Sequence, residues 1–247
     1  MGEAADEAPH RTMSKALDVA MLIAVLIGLW QALNWYAGDV AISSPYDTTL
    51  HLIAQFERPR FWLHLAESIK AFGYALAIAW IGGIGLGVWL GAHRFAGEVA
   101  EPIVVALYSL PKVTLYPLVL LIFGLGISSK VAFGAIHGIA PVALFAMNSV
   151  RNIRPVYIKV GRTLRLTPLD AARRVLIPAA LPEIATGLRL GFSLTLLGTL
   201  LGEMFASQRG LGFMIVNAIG LADTKTMMAV TLLLFIFAGT ANAILLA

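Results

Sequence analysis

The sequence predicts an all-α integral membrane protein with about six transmembrane helices, and three observations carry that expectation. Only 13% of the 247 residues are charged and 59% are hydrophobic, against roughly 25% charged in a soluble domain. A chain this short cannot enclose so much apolar surface in one soluble core. Six windows hold the roughly 20 mainly apolar residues that a spanning helix needs, while the alternation of a membrane β-barrel is missing over long stretches.

Residues 1–16 form a tail of mixed charge, and 17–247 form a single membrane domain. The first window is Leu17–Tyr36. It outlasts the ~7–15-residue core of a signal peptide, so it is read as a span. The polar linker Ala37–Ala66 sets Asp39, Asp47 and Glu57 against Arg58 and Arg60. The second window, Ile69–Ala92, carries Gly83, Gly87 and Gly91. The third, Ile103–Leu125, is interrupted by Pro111 and Pro117, and proline removes a backbone donor and kinks a helix. Irregular backbone at membrane depth survives where it lines a cavity or is buried in protein. Lys112 is the one charge between Pro102 and Ser129. It either faces a water-filled path and meets an anion there, or snorkels to the interface.

The fourth window, Val131–Val150, holds Gly134, Gly138 and His137. A histidine so placed is more often a satisfied core residue than a ligand. The fifth, Ile184–Phe205, bears Gly187, Gly191, Arg189, Ser193, Thr195, Thr199 and Glu203. As the helix most marked by polar groups it is read as pore-lining, because charges in a membrane face a bundle interior or a cavity. Glu203 then shapes an outer gate or a dock, or else pairs with a neighbouring loop. The sixth, Met227–Ala247, runs to the last residue, with room for a short polar tail beyond it. Small residues four apart let helices approach closely in lipid; plain packing is the simpler reading and a gating interface the functional one. The two halves share no alignable pattern, against the inverted repeats of many secondary transporters. Cysteine is absent, which removes disulfides and thiolate metal sites.

The net charge of +4 does not point to nucleic acid, since seven of the eighteen Lys and Arg fall between Arg151 and Arg174. This segment, 151–182, follows four windows, and short Lys/Arg-rich loops stay cytoplasmic. The N-terminus is then cytoplasmic too. Pro155 and Pro168 suit the first turns of two short helices, with Thr167 as the cap of the second. Val156, Val160 and Leu164 recur at i, i+4, i+8, a ridge that needs covering. Flanked by Lys159, Arg162 and Arg165, it suits either a cleft on another protein or anionic lipid headgroups.

This loop resembles the cytoplasmic motif of ABC importer permeases, which opens acidic-Ala-Ala, has a glycine a few residues later and closes on Leu-Pro. Arg162-Thr163-Leu164 and Leu176-Ile177-Pro178-Ala179-Ala180-Leu181-Pro182 match it. So do Gly187-Leu188-Arg189-Leu190-Gly191, Glu203 with Arg209-Gly210-Leu211-Gly212, and upstream Ser109-Leu110-Pro111-Lys112 and Phe123-Gly124-Leu125-Gly126. The combination is similar to the nitrate/sulfonate/taurine branch over roughly residues 65–230. Two departures stand out. Lys159-Val160-Gly161 replaces the acidic-Ala-Ala start, reversing its charge. Arg165 replaces the glycine, so the turn between the short helices is expected to be made differently.

The resemblance implies a type I permease in a bacterial inner membrane, paired with a second copy as a homodimer. Two cytoplasmic ATPase subunits would each accept one coupling loop, touched through Val156, Lys159, Val160, Arg162, Thr163, Leu164, Arg165 and Thr167. A periplasmic binding protein would deliver a small anionic solute. Lys112, Ser193, Thr195, Thr199 and Glu203 are the expected translocation-path residues. No phosphate-binding loop G-x-x-x-x-G-K-[ST] occurs, so ATP and its Mg ion belong to the ATPase partner, this chain holds no cofactor, metal site or catalytic residue, and it is not an enzyme. A stand-alone secondary transporter or channel, and a membrane scaffold, are the competing classes.

Overall fold

The computed structural model describes residues 8–246, with side chains described from Leu17 onward except at Ile158, Gly161, Arg162, Pro168 and Ala206. Among the described residues all regular structure is helical. Helix α1 spans Ala8–Ala37, so it begins inside the stretch expected to be tail. Helix α2, Pro45–Phe56, is short and starts where Ser44 caps it, the Oγ accepting from the Asp47 amide at 3.0 Å. Helix α3 runs Pro59–Ala92. Its 34 residues give about 51 Å, well over the ~30 Å hydrocarbon core, so it projects beyond the expected window.

The third window is broken as its prolines predict. Helix α4 (Arg94–Ser109), a 3-10 turn (Lys112–Leu115) and helix α5 (Tyr116–Phe123) meet at a 90° bend. The pair still joins the two ends of the bundle. Val104 of α4 packs on Leu90 and Met147, whereas Tyr116 and Val119 of α5 pack on Phe133. Met147 and Phe133 both lie on the next helix, α6 (Ile127–Arg151), about 21 Å apart along its axis. Five helices are individually long and apolar enough to span a membrane, and the bent pair, counted as one span, brings the number to six.

Helix α7 is Pro155–Thr163 and α8 is Pro168–Ala171. A π-helical turn, Ala172–Leu176, carries the chain unbroken into α9, Ile177–Ala206. Helices α10 (Leu211–Gly220) and α11 (Thr224–Ile244) complete the chain. Sequence patterning had not announced α2 or α10.

Helix α6 is the centre, packed along its length on α3 and α9. The glycine ladders are contact surfaces between these helices. Gly87 of α3 lies against the Ala143 carbonyl and Ala146, and Gly138 of α6 against Thr195 and Ala79. In lipid, where apolar contact alone drives no association, such close approach of backbones holds helices together. By contrast, the side chains of α1 from Leu17 to Leu29 point outward almost throughout.

The α2–α11 contact is polar. His51 Nε2 lies 3.0 Å from Thr226 Oγ1, the Gln55 amide donates to the same hydroxyl at 3.2 Å, and Asp223 caps α11 through the Thr226 amide at 3.0 Å. Burial lowers the His51 pKa, against Asp223, which raises it. A depressed folded-state value means the unfolded chain takes up the proton first. The stability His51 contributes is therefore complete above its ordinary value of 6.5 and is lost as pH falls below it. We expect the thermal midpoint in detergent to drop between about pH 7.5 and about pH 5.5, and His51→Gln to flatten that part of the profile. An unaltered profile in the variant would contradict the assignment.

Candidate functional site

Two sites lie at opposite ends of the bundle. At the basic end, Pro155 and Pro168 each open a short helix as expected, proline being suited to a helix's first position. Thr167 caps α8, its Oγ1 accepting from the Asp170 amide at 3.2 Å and donating to the Asp170 carboxylate at 2.7 Å. Asp170 also pairs with Arg174 at 3.4 Å, so the loop's one acid is engaged locally. Val156, Val160 and Leu164 are 41–62% exposed. An apolar ridge so uncovered is the mark of an interaction surface. Lys159, Thr163 and Arg165 are exposed beside it, while the Arg162 side chain lies outside the described residues.

The turn after α7 corrects one expectation. Arg165 adopts φ 49°, the left-handed conformation that glycine takes most readily after a helix. The turn is thus of the kind a glycine would make, at a steric cost of about 1–2 kcal/mol for an L residue. The loop is tied to the bundle by Ser149, whose Oγ donates to the Ala180 carbonyl at 2.9 Å, and Arg151 closes the base of α6 onto Glu101 of α4 at 2.6 Å.

At the far end, Glu203 of α9 is completely buried. Ser68 of α3 donates to its carboxylate at 2.8 Å and the Gly212 amide donates to Oε2 at 2.9 Å. The Leu211 amide in turn donates to Ser68 Oγ at 2.7 Å, and the Gly210 amide to His64 Nδ1 at 3.1 Å. Three successive amides at the start of α10 are therefore held by side chains of α3 and α9. A carboxylate there also meets the positive end of the helix. Gly210 has φ 122° and a Cβ on it would strike the Glu203 carboxylate, so only glycine fits. Beside this clamp Lys130 of α6, 2% exposed, donates to Glu67 at 3.1 Å and to the Arg209 carbonyl at 2.9 Å. Glu67, Gly126, Lys130, Ser207, Gln208 and Arg209 line an open cleft of about 560 Å³.

Residues 83–247 match the family of binding-protein-dependent transport system inner membrane components, a stretch that takes in the broken span, the basic loop and the Glu203 and Gly210–Gly212 side of the clamp. The chain belongs to that family. It is an ABC importer permease of the type I fold. It is 30% identical to the taurine transport system permease protein of Escherichia coli (strain K12), over 79% of this chain and 74% of that one. It is 29% identical to the nitrate import permease protein of Leptolyngbya laminosa, over 84% and 77%. It is also 29% identical to the riboflavin transport system permease protein of Chloroflexus aurantiacus, over 93% and 89%.

The residues expected along the permease's translocation path are dispersed by the structure. Thr195, Thr199 and Glu203 share one face of α9, but all three are sealed inside this chain. Thr195 and Thr199 pack against Gly138 and Gly134 of α6, and the Thr199 hydroxyl returns to its own helix at the Thr195 carbonyl, 2.9 Å away. The Thr195 hydroxyl is buried with no hydrogen-bond partner among the described residues, while Thr199 also lines a small apolar pocket with Ser68, Phe72, Leu196 and Phe237. Ser193 faces another way and meets Asn242 of α11 at 3.1 Å. Lys112 is 8% exposed. Its Nζ donates to the Tyr108 carbonyl at 3.1 Å and sits 5.6 Å from the Tyr108 ring. Among the described residues no carboxylate pairs with it. His137 is a satisfied core residue, Nδ1 donating to the Phe133 carbonyl at 2.8 Å. Sequence reading missed Ser68, His64 and Glu67, whose one signal was polar character inside or beside apolar windows, and gave Lys130 no site role.

Proposed function

We propose that the permease moves a small anionic solute of the taurine or nitrate kind, handed to it by a binding protein, and that the basic loop receives the force of a separate ATPase. The observation that carries the coupling role is the exposed Val156–Val160–Leu164 ridge bracketed by cations. A lone carrier has no use for such a surface in water. In this reading the loop and the N-terminus lie in the cytoplasm of a bacterial cell, consistent with short Lys/Arg-rich loops staying inside. Two copies of the permease form the path, each with one ATPase subunit on its loop. The clamped loop around Arg209 and its cleft then face the periplasm, where the binding protein docks. Buried at the bend of the broken span without a carboxylate partner, Lys112 is the group best suited to meet an anion in transit.

The test is uptake into vesicles holding the permease, its ATPase and its binding protein. Arg162→Glu with Arg165→Glu is expected to cut ATP-driven uptake at least tenfold, while folding by thermal melting is unchanged; charged contacts at such docks are worth a few kcal/mol together. Unchanged uptake in the double variant would refute the coupling role. Taurine and nitrate uptake, measured beside riboflavin, decides the solute class, and transport of riboflavin alone would overturn the anionic assignment.

A further inference from the structure

The geometry points to an acidic rim on the groove of the ATPase partner, read by Lys159 and Arg165 as the residues that fix which partner this permease accepts. The inference rests on the coupling role proposed above and goes beyond it by stating the partner's chemistry.

Four observations converge. Between Arg151 and Pro182 seven basic residues face a single acid, and that acid, Asp170, is bound to Thr167 and Arg174 within the loop. Hence the loop cannot neutralise itself. Second, Lys159 lies on α7 with Val156 and Val160, Leu164 follows directly on its last residue, and all four are exposed. Whatever covers the ridge therefore brings groups close to the ammonium. Buried beside apolar contact, a cation needs a carboxylate or it opposes docking.

Third, Arg165 is exposed and holds a backbone conformation, φ 49°, that glycine would adopt without strain. A strained non-glycine residue at a surface turn indicates that its side chain is used there. The structure gives the Arg165 guanidinium no ion pair among the described residues. Fourth, Arg165 follows directly on Leu164, the last residue of the ridge, so its charge stands at the end of the apolar surface. An apolar groove with carboxylates on its rim complements both charges and the ridge between them. Electrostatic matching of this kind sets specificity and encounter rate more than raw affinity, which suits a loop that must find one ATPase among several.

The experiment uses the full-length permease in nanodiscs of zwitterionic phosphatidylcholine and, separately, of anionic phosphatidylglycerol, with the ATPase subunit that supports its uptake. Binding of the ATPase is titrated for three variants of the permease, and each variant's melting temperature is recorded. Arg165→Gly is expected to leave the melting temperature equal or raise it, yet to weaken ATPase binding about tenfold in both lipids. A merely structural role for Arg165 would move both readings the same way. Lys159→Glu is expected to weaken binding by at least as much, with recovery when a rim Asp or Glu of the ATPase is changed to Lys.

Wild-type affinity in both Arg165→Gly and Lys159→Glu overturns the inference. In that case Val160→Asp with Leu164→Asp separates the two levels. If that pair abolishes binding, the loop is still the dock and the acidic rim alone is wrong. If it too binds normally, the coupling reading falls. Losses confined to phosphatidylglycerol discs assign the cations to lipid headgroups and also overturn the inference.

Discussion

Replacing Glu203 with alanine is expected to destabilise the permease by about 3–5 kcal/mol and to abolish uptake, because it strands buried donors with no water to replace their acceptor. Glu203 is the shared acceptor for the Ser68 hydroxyl and the Gly212 amide, and Ser68 in turn accepts from the Leu211 amide. With the carboxylate gone, the start of α10 loses its link to α9, and Ser68 loses what orients it. The empty volume adds a packing penalty, since a buried side chain is removed from a site that backbone surrounds. Glu203→Gln separates shape from charge. Its amide oxygen can still accept from Gly212, but its NH₂ group faces a hydroxyl and loses the negative charge at the helix N-terminus, so a smaller loss of about 1–2 kcal/mol is expected. Thermal unfolding in detergent, followed by uptake at a temperature where the variant is folded, checks both. If Glu203→Ala melts like the wild type, the clamp does not hold α10.

What the sequence made legible and what it did not follows from the range of each interaction. The apolar spans were readable because apolar length is a local property: α1, α3, α6 and α9 each contain their expected window, and α11 covers its window as far as Ile244. The break in the third span was readable from Pro111 and Pro117 for the same reason. So were α7 and α8, from Pro155, Thr167 and Pro168. The far-end clamp was not, because its parts are remote in the chain: Ser68 and Glu203 are 135 residues apart, and His64 and Gly210 are 146. No pattern within a window connects them. Helix α10 was missed on that account too, since its caps come from α3 and α9 and not from its own flanks.

Side-chain surroundings were not legible for a different physical reason. Within this chain Thr195 and Thr199 pack closely opposite Gly138 and Gly134 of α6. The Thr199 hydroxyl bonds to the Thr195 carbonyl one turn back, whereas the Thr195 hydroxyl is left without a partner among the described residues. Arg165 was expected to force a different turn, but the penalty for a left-handed L residue is small enough for one residue to bear, and the backbone keeps φ 49°.

Substitution at Gly87 is expected to be strongly damaging to the bundle, and Gly82, five residues earlier on the same helix, supplies the control. A Cβ at Gly87 would run into the Ala143 carbonyl and come within 2.6 Å of Ala146 Cβ and 3.0 Å of the Met147 amide nitrogen. Two of those atoms are backbone of α6, so no rotamer can relieve the contact. Helix α3 would have to withdraw, opening the Gly83 and Gly91 contacts above and below it. A Cβ at Gly82 meets nothing within 4 Å. Both substitutions gain the same helix propensity, about 1 kcal/mol on exchange of glycine for alanine, so the difference between them isolates packing. Overpacking a rigid site costs about 1–3 kcal/mol for small additions, and leucine exceeds that range because α6 also carries α9. Gly87→Leu is therefore expected to leave little folded permease in the membrane, whereas Gly82→Leu expresses and melts near the wild type. Fluorescence-detected size exclusion of the two variants, extracted in parallel, decides the matter. Equal monodisperse peaks would mean that α3 and α6 are not held by backbone contact, and the central three-helix packing described above would have to be redrawn.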